Sequence, residues 1–262
     1  MLIRVHSGRF LTTFQSAFYW PIRLSRSKKM KLAAVLVSVV LCSSIVFSQK
    51  ATREQKIQTI LDLRSQMSVL EKEILQPDAR DLEIAEKHGV AAIRIMPREK
   101  YSRVLTTNGG GAYYSFFRGT HEYGQGSDLS LEQGKFSVGF AGADYGLLRD
   151  LGEVNVLSLE KDSGGIGVLM RYVPPTDEPS IRAEYQKLGR DYEIDGFVFK
   201  SRVPAVVGHS FVLRSISLDR SDVLIAFSVL RKDEDGSLIL LWRPIETFPK
   251  PEMRREKAVV IL

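Results

Sequence analysis

Apolar residues first recur with a helical period over residues 52–76. Five of them are spaced by three and four positions and share one stripe: Ile60, Leu63, Met67, Leu70 and Ile74. Thr52 is suited to capping this helix, and Pro77 follows it. Two heptads are too few to predict a coiled coil. The stripe therefore predicts a helix that packs on its own domain or serves as a stalk, and a second short helix over 78–87 ends at Gly89.

From Val90 the period of the apolar residues changes to two, which is typical of strands. The pattern predicts short strands over 90–96, 101–107, 112–118, 135–141, 153–159, 166–172 and 194–199. The segment 108–111 is glycine-rich and predicts a turn, and 120–128 is interrupted by glycines and predicts a loop. The prolines and charges of 174–190 indicate a surface excursion with a helical turn or two that ends at Gly189.

The clearest pattern lies in residues 211–242. Val223, Ile225, Phe227 and Val229 alternate along one face of a strand whose other face is also apolar, and an acidic turn at 233–236 leads to a second apolar strand. A hairpin that is apolar on both faces belongs inside a sheet that is covered on both sides. The chain is therefore predicted to be an α+β, β-rich protein. An N-terminal helix precedes a mostly antiparallel, sandwich- or barrel-like single domain.

Residues 32–49 form an uncharged apolar segment that follows Lys28, Lys29 and Lys31. This pattern predicts a signal peptide cleaved after Ser48, with an uncleaved N-terminal membrane anchor as the alternative. Either prediction places the rest of the chain outside the cytoplasm, secreted or periplasmic. We predict a basic leader or a mis-assigned start at 1–29, the signal or anchor at 30–49, a helical segment at 50–89, a β-rich domain at 90–250 and a solvated tail at 251–262, whose last five residues could add an edge strand.

Charge and cysteine content change once this leader is removed. The first 49 residues hold seven basic residues and no acidic one, which leaves 30 basic and 31 acidic residues in the remainder. This balance removes the main support for a nucleic-acid partner. Cys42, in the leader, is the only cysteine, so the exported chain has no disulfide, zinc-thiolate site or cysteine nucleophile.

Four familiar motifs are incomplete. Gly208-His209-Ser210-Phe211-Val212 lacks the second glycine of a nucleophile elbow. His121-Glu122-Tyr123-Gly124-Gln125 lacks the second histidine of a zinc motif. The acidic turn at 233–236 lacks the other ligands of a calcium loop. The glycines at 164–167 precede a predicted strand, whereas a phosphate loop opens a helix. The sequence predicts no catalytic residue, no metal site and no cofactor.

Aromatic residues are concentrated in one region of the chain. Eight lie within 33 residues: Tyr113, Tyr114, Phe116, Phe117, Tyr123, Phe136, Phe140 and Tyr145. Alternating aromatics are typical of the core of a β-domain. Aromatic faces beside hydrogen-bonding groups also suit sugars and other amphipathic ligands. Tyr114, Tyr123 and Tyr145 are the members predicted to be least core-like. The candidate ligand-binding residues are therefore these: Tyr114, Tyr123, Tyr145, Arg118, His121, Asp128 and Asp144.

Three functions follow as hypotheses. The first is a non-enzymatic exported protein that binds a ligand, such as a carbohydrate or an envelope protein, or that has a structural role in the envelope. The second is a hydrolase with two carboxylates, for which Asp128 and Asp144 are the candidates. The third is an assembly role through the helix over 52–76.

Overall fold

The computed structural model describes residues 51–121, 123–124, 126–140 and 144–254. The predicted leader, the signal or anchor, and the predicted edge strand at 258–262 lie outside these residues. The described helices are α1 Arg53–Leu75, α2 Ala79–His88, α3 Arg98–Tyr101, α4 Ile166–Arg171 and α5 Glu178–Leu188. The strands are β1 Ala91–Ile95, β2 Tyr113–Tyr114, β3 Leu129–Glu132, β4 Lys135–Ser137, β5 Asp144–Gly152, β6 Tyr192–Ile194, β7 Phe197–Phe199, β8 Arg202–Pro204, β9 Ser210–Ser217, β10 Ser221–Lys232 and β11 Leu238–Phe248. Short 3₁₀ turns occupy Asn108–Gly111 and Val156–Ser158.

The strands form antiparallel sheets, which confirms the predicted α+β, β-rich fold. The larger sheet has the order β1-β11-β10-β9-β5, the smaller has the order β2-β3-β4-β8, and β6 pairs with β7. Strand β10 is the central strand of the larger sheet. Its Phe227 lies opposite Phe211 of β9 and Trp242 of β11. The central position predicted for the hairpin over 211–242 is therefore confirmed.

Both faces of the larger sheet are covered. Phe211, Leu213 and Phe227 face the smaller sheet and pack with Leu131 and Phe136. From the opposite face, Val212, Ile216 and Leu224 pack with residues of α4 and α5. Alternation of side chains along each strand explains why β9 and β10 are apolar on both sides. The result is a sandwich of two sheets with helices on the outer side of the larger one.

A buried ion pair lies on the helical side of the larger sheet, where the sequence pattern predicts only apolar packing. Arg214 and Asp222 are each 2% exposed, and two hydrogen bonds of 2.9 and 2.7 Å join them. The guanidinium also donates to the carbonyls of Leu169 and Tyr172 and lies 3.8 Å from the centre of the Phe248 ring. This pair therefore connects strands β9 and β10 to the helical layer.

The chain divides into two units between Thr59 and Ile60, within helix α1. In the first unit, Thr52 and Gln55 exchange hydrogen bonds between side chain and backbone, which confirms Thr52 as the cap. In the second unit, every residue of the predicted stripe is exposed, from 39% at Met67 to 57% at Leu70. The stripe therefore does not pack on its own domain. Of the two alternatives, the exposed stripe favours the stalk.

Glu71 holds the end of α1 in place. It is the one buried residue among the described residues of this helix. Its carboxylate accepts hydrogen bonds from the backbone N–H groups and the hydroxyls of Thr106 and Thr107. Burial opposes ionisation of this carboxyl, but the four hydrogen bonds outweigh it and lower the pKa. The last turn of α1 is thus joined to the segment that leads into the glycines at 109–111.

Several short elements differ from their predictions. Residues 101–107 hold the end of α3 and turns, 153–159 hold a 3₁₀ turn, and only Tyr113–Tyr114 of 112–118 forms a strand. Residues 166–171 form a helix and not the predicted strand. A short apolar run that is buried in a core has no period that distinguishes a helix from a strand, so the sequence pattern does not decide between them. A helix therefore does follow Gly164 and Gly165, with Gly167 inside it, but its six residues are too few for an anion site. The predictions of helices ending at Gly89 and Gly189 are confirmed.

The beginning of the predicted solvated tail is tied to the domain. The Asp219 N–H donates to the Pro251 carbonyl at 2.8 Å, and the Met253 N–H donates to the Asp219 carboxylate at 2.9 Å. The Arg254 N–H donates to the Thr176 carbonyl. Residues 251–254 are therefore hydrogen-bonded to the domain, while Glu252 and Arg254 remain exposed. Within the described ranges, no helix combines the length and the apolar character that a membrane crossing requires.

Candidate functional site

The tyrosines predicted to be least core-like divide between core and surface. Tyr114 is 6% exposed and Tyr145 is 2% exposed, so for both the prediction is wrong. Tyr114 packs between the sheets, and burial raises its pKa to about 12. Tyr145, on β5, faces the helical layer, where its hydroxyl is 3.2 Å from that of Tyr172, and burial raises its pKa. Of the three, Tyr123 is the one on the surface, at 51% exposed.

The two candidate aspartates are buried and bind protein groups. Asp128 accepts hydrogen bonds from the hydroxyls of Ser215 at 2.6 Å and Ser115 at 3.2 Å, and from the Phe117 N–H. Burial raises the pKa of this carboxyl despite those hydrogen bonds. Asp144 accepts a hydrogen bond of 2.8 Å from the Phe140 N–H. Both carboxylates thus hold nearby chain segments in place.

Arg118 is exposed, and its N–H donates to the Ser115 hydroxyl. His121 lies near Tyr114, and its Nε2 donates to the Arg94 carbonyl at 2.7 Å. Burial lowers the pKa of this histidine, which favours the neutral ring. His121 and Tyr114 border a cavity of about 420 Å³ beside the end of α1. The structure thus brings these two candidates together and places Tyr123 at a different cavity.

The cavity beside Tyr123 lies on the outer face of the smaller sheet, and we name it the tyrosine–arginine cleft. Its volume is about 360 Å³, within the range of small-molecule sites. The cleft is lined by these residues: Arg98, Tyr113, Tyr123, Gly124, Ser130, Glu132, Ser137, Gly139, Phe140 and Arg202. The register of β2, β3, β4 and β8 sets Tyr113, Ser130, Ser137 and Arg202 in one row across the sheet. The small side chains of Ser130 and Ser137 form the floor of the cleft between the larger side chains of Tyr113 and Arg202.

One side of the cleft is aromatic. Tyr113 is buried, and its ring contacts Tyr123 and Phe140 edge to face at 4.7 and 5.2 Å between centres. Gly109, with φ +76°, permits this packing, since a Cβ there would lie 2.5 Å from the Tyr113 ring. Burial raises the pKa of Tyr113, although the charge of Arg98 opposes the shift. The Tyr113 phenol therefore stays neutral near pH 7, and the half-exposed Tyr123 ring remains available for stacking.

The cleft is also lined by charged side chains. Arg98 donates to Glu132 at 2.9 Å, and the Arg98 guanidinium also lies 5.7 Å from the centre of the Tyr113 ring. Arg202 lies 3.7 Å from the second oxygen of Glu132. In the part of the chain that the structure describes, the buried hydroxyl of Ser137 has no hydrogen-bond partner. The cleft therefore combines an aromatic surface, two cations, one carboxylate and an unsatisfied hydroxyl.

Sequence reasoning identified the aromatic residues of this cleft but missed its polar ones. Arg98, Glu132 and Arg202 come from three separate segments, and no spacing relates them. A partial signal was present in strand β4, where Phe136 and Val138 alternate with small residues. The small Ser137 on the other face of that strand is part of the cleft floor.

A second polar pair lies at the start of β9. His209 Nδ1 lies 3.0 Å from both oxygens of Asp150. The adjacent Ser210 is buried, and its hydroxyl donates to the Val154 carbonyl. The hydroxyl of the serine next to this histidine is therefore already used in a hydrogen bond to the backbone. Among the residues that are described, no three His, Cys, Asp or Glu side chains come together as a metal site. The cleft is therefore the better candidate site.

Fold and site together define a β-rich α+β domain with a tyrosine–arginine cleft on its smaller sheet. No family model matches the chain, and no curated protein or solved structure matches it.

Proposed function

We propose that this chain is an exported, non-enzymatic binding protein and that the tyrosine–arginine cleft binds a saccharide. The observation that carries the proposal is that the half-exposed Tyr123 ring lines the same cleft as the charged group formed by Arg98, Glu132 and Arg202. A sugar ring has an apolar face that stacks on an aromatic ring and hydroxyls that bond to charged groups at its edge. The export part of the proposal rests on the apolar segment at 32–49.

A variant of the exposed tyrosine tests saccharide binding. We expect Tyr123→Ala to weaken binding about three- to tenfold, because an aromatic contact contributes about 0.5–1.5 kcal/mol. A thermal-shift screen against cello-, xylo-, chito- and galacturonate oligomers would find the ligand, since saturation at 100 times Kd adds about 2.7 kcal/mol of stability. Titration calorimetry would then compare the variants.

Phe117→Ala is the matched control, because Phe117 is 52% exposed and does not line the cleft. Equal affinity in Tyr123→Ala and Phe117→Ala would contradict a saccharide site at this cleft.

The exposed stripe of α1 supports an assembly role as a second candidate. Apolar residues spaced by three and four positions match the contact surface that a second helix of the same kind presents. We expect the chain from Lys50 to self-associate at high concentration and the double variant Leu63→Gln/Leu70→Gln to be monomeric. Light scattering measures both masses, with Ser65→Gln/Ser68→Gln as the control on the same helix. A strict monomer before mutation would remove the assembly role.

A further inference from the structure

We infer that the saccharide of the tyrosine–arginine cleft carries a carboxylate, as a uronate does, and that Arg202 and Ser137 bind this group. The inference rests on the proposed function and names the ligand class of the same site. Three features of the cleft support it: the charge left on Arg202, the unsatisfied Ser137 hydroxyl beside it, and the carboxylate of Glu132.

The first feature is the unequal pairing of the two arginines. Arg98 is paired with Glu132 by a hydrogen bond of 2.9 Å and also contacts the Tyr113 ring. Arg202 lies 3.7 Å from the same carboxylate, too far for a hydrogen bond. Across the described ranges, the Arg202 guanidinium makes no other ion pair, and its side chain is 43% exposed. One carboxylate thus serves two cations, and the positive charge that remains is centred on Arg202.

The second feature is the Ser137 hydroxyl. Ser137 lies directly opposite Arg202 in the pairing of β4 with β8. Its oxygen is buried, and no described residue hydrogen-bonds to it. A buried hydroxyl without a partner destabilises a fold, so such groups are uncommon unless a ligand or water completes them. Ser137 and Arg202 are direct cross-strand neighbours and both line the cleft, so one carboxylate can accept from both through its two oxygens.

The third feature sets the charge of the ligand. Glu132 borders the same cleft, so two cations and one carboxylate leave a single net positive charge. A monoanion matches this charge, whereas a phosphate dianion would leave one uncompensated negative charge. The second oxygen of Glu132 is not the one bonded to Arg98 and can accept from a sugar hydroxyl. Tyr123 lines the same cleft and offers its ring to the apolar face of the same sugar. These groups suit a uronate better than a free anion or a neutral sugar.

The test compares the binding of acidic and neutral oligosaccharides to the full chain. The protein is kept in a zwitterionic detergent, because a detergent with a sugar headgroup would compete for the cleft. Calorimetry would measure trigalacturonate, a mannuronate trimer and a glucuronate disaccharide against the neutral galactotriose and cellotriose. We expect at least one uronate to bind tenfold or more tightly than the neutral oligomers. Arg202→Gln should remove this preference, with a loss of affinity at least tenfold larger for that uronate than for the neutral oligomers.

Two further variants separate specific binding from general charge. Arg182→Gln makes the same charge change at an exposed site on α5 and should preserve the preference. Arg202→Lys keeps the charge but loses the planar guanidinium, which can donate two parallel hydrogen bonds to a carboxylate. This variant should therefore retain only part of the preference for uronates.

Each other outcome has a definite meaning. Neutral oligomers that bind as tightly as uronates, or an equal loss of both in Arg202→Gln, would overturn the inference and leave the saccharide site standing. Inorganic phosphate that binds as well as the uronates, with the same dependence on Arg202, would show a simple anion site and also overturn it. If neither class binds, both the inference and the proposed function fail.

Discussion

Replacing Asp222 by alanine is expected to lower the free energy of unfolding by about 3–5 kcal/mol, the cost of breaking a buried ion pair. Asp222 and Arg214 are each 2% exposed, and the carboxylate is the only acidic partner of the guanidinium among the described residues. Without it, Arg214 keeps its bonds to the carbonyls of Leu169 and Tyr172 but carries a buried charge with no counter-charge. Urea unfolding followed by fluorescence measures the change.

A double variant separates the cost of a broken pair from the net value of the intact pair. Arg214→Met/Asp222→Leu removes both charges and keeps the volume, so it should recover most of the stability lost in Asp222→Ala. Arg182→Ala, which breaks the exposed pair with Glu178, should change stability by about 1 kcal/mol or less. A loss in Asp222→Ala no greater than in Arg182→Ala would show that the Arg214–Asp222 pair is not buried in solution.

The second large effect is expected from Phe227→Ala, at about 3–5 kcal/mol. Phe227 is fully buried at the centre of the larger sheet. Its ring stacks on Phe211 at 5.0 Å between centres and contacts Phe136 edge to face at 5.2 Å. Alanine would remove these contacts and leave a cavity that the rigid strands around it cannot close.

Phe117→Ala is the matched control, because Phe117 is 52% exposed and belongs to the same aromatic-rich part of the sequence as Phe136. Thermal or urea unfolding of both variants measures the contrast, and we expect Phe117→Ala to stay within about 0.5 kcal/mol of the parent. Equal losses would mean that the two sheets do not share one core around Phe227.

The fold was most predictable where periodicity and length agreed. The hairpin over 211–242 has long strands that are apolar on both faces, and only the interior of a covered sheet accommodates such strands. Residues 166–171 were harder to assign, because six residues buried in a core satisfy either a strand or a helix. Tyr114 and Tyr145 each have an apolar ring and a polar hydroxyl, so sequence alone does not assign them to the core or to the surface.

The candidate site was only partly predictable. Tyr123 was named together with Tyr114 and Tyr145, and of these three it alone lies in the glycine-interrupted loop predicted over 120–128, which favours exposure. Arg98, Glu132 and Arg202 meet only because β3 and β8 lie in one small sheet next to α3, and that sheet order depends on contacts between distant segments. The Arg214–Asp222 pair was missed for a similar reason, because single charged residues in a strand normally indicate a solvent face.

One edge of the larger sheet, strand β1, is partly protected against pairing with another chain. Strand β1 is an edge strand, and the free backbone groups of such an edge are a template on which another chain can add. Here the Arg94 carbonyl accepts from His121, and the Met96 N–H donates to the Gly111 carbonyl. An incoming strand would have to break both bonds before it could pair. The loop that contains His121 and the glycines at 109–111 thus occupies two backbone groups at this edge, which disfavours the addition of a strand from another chain.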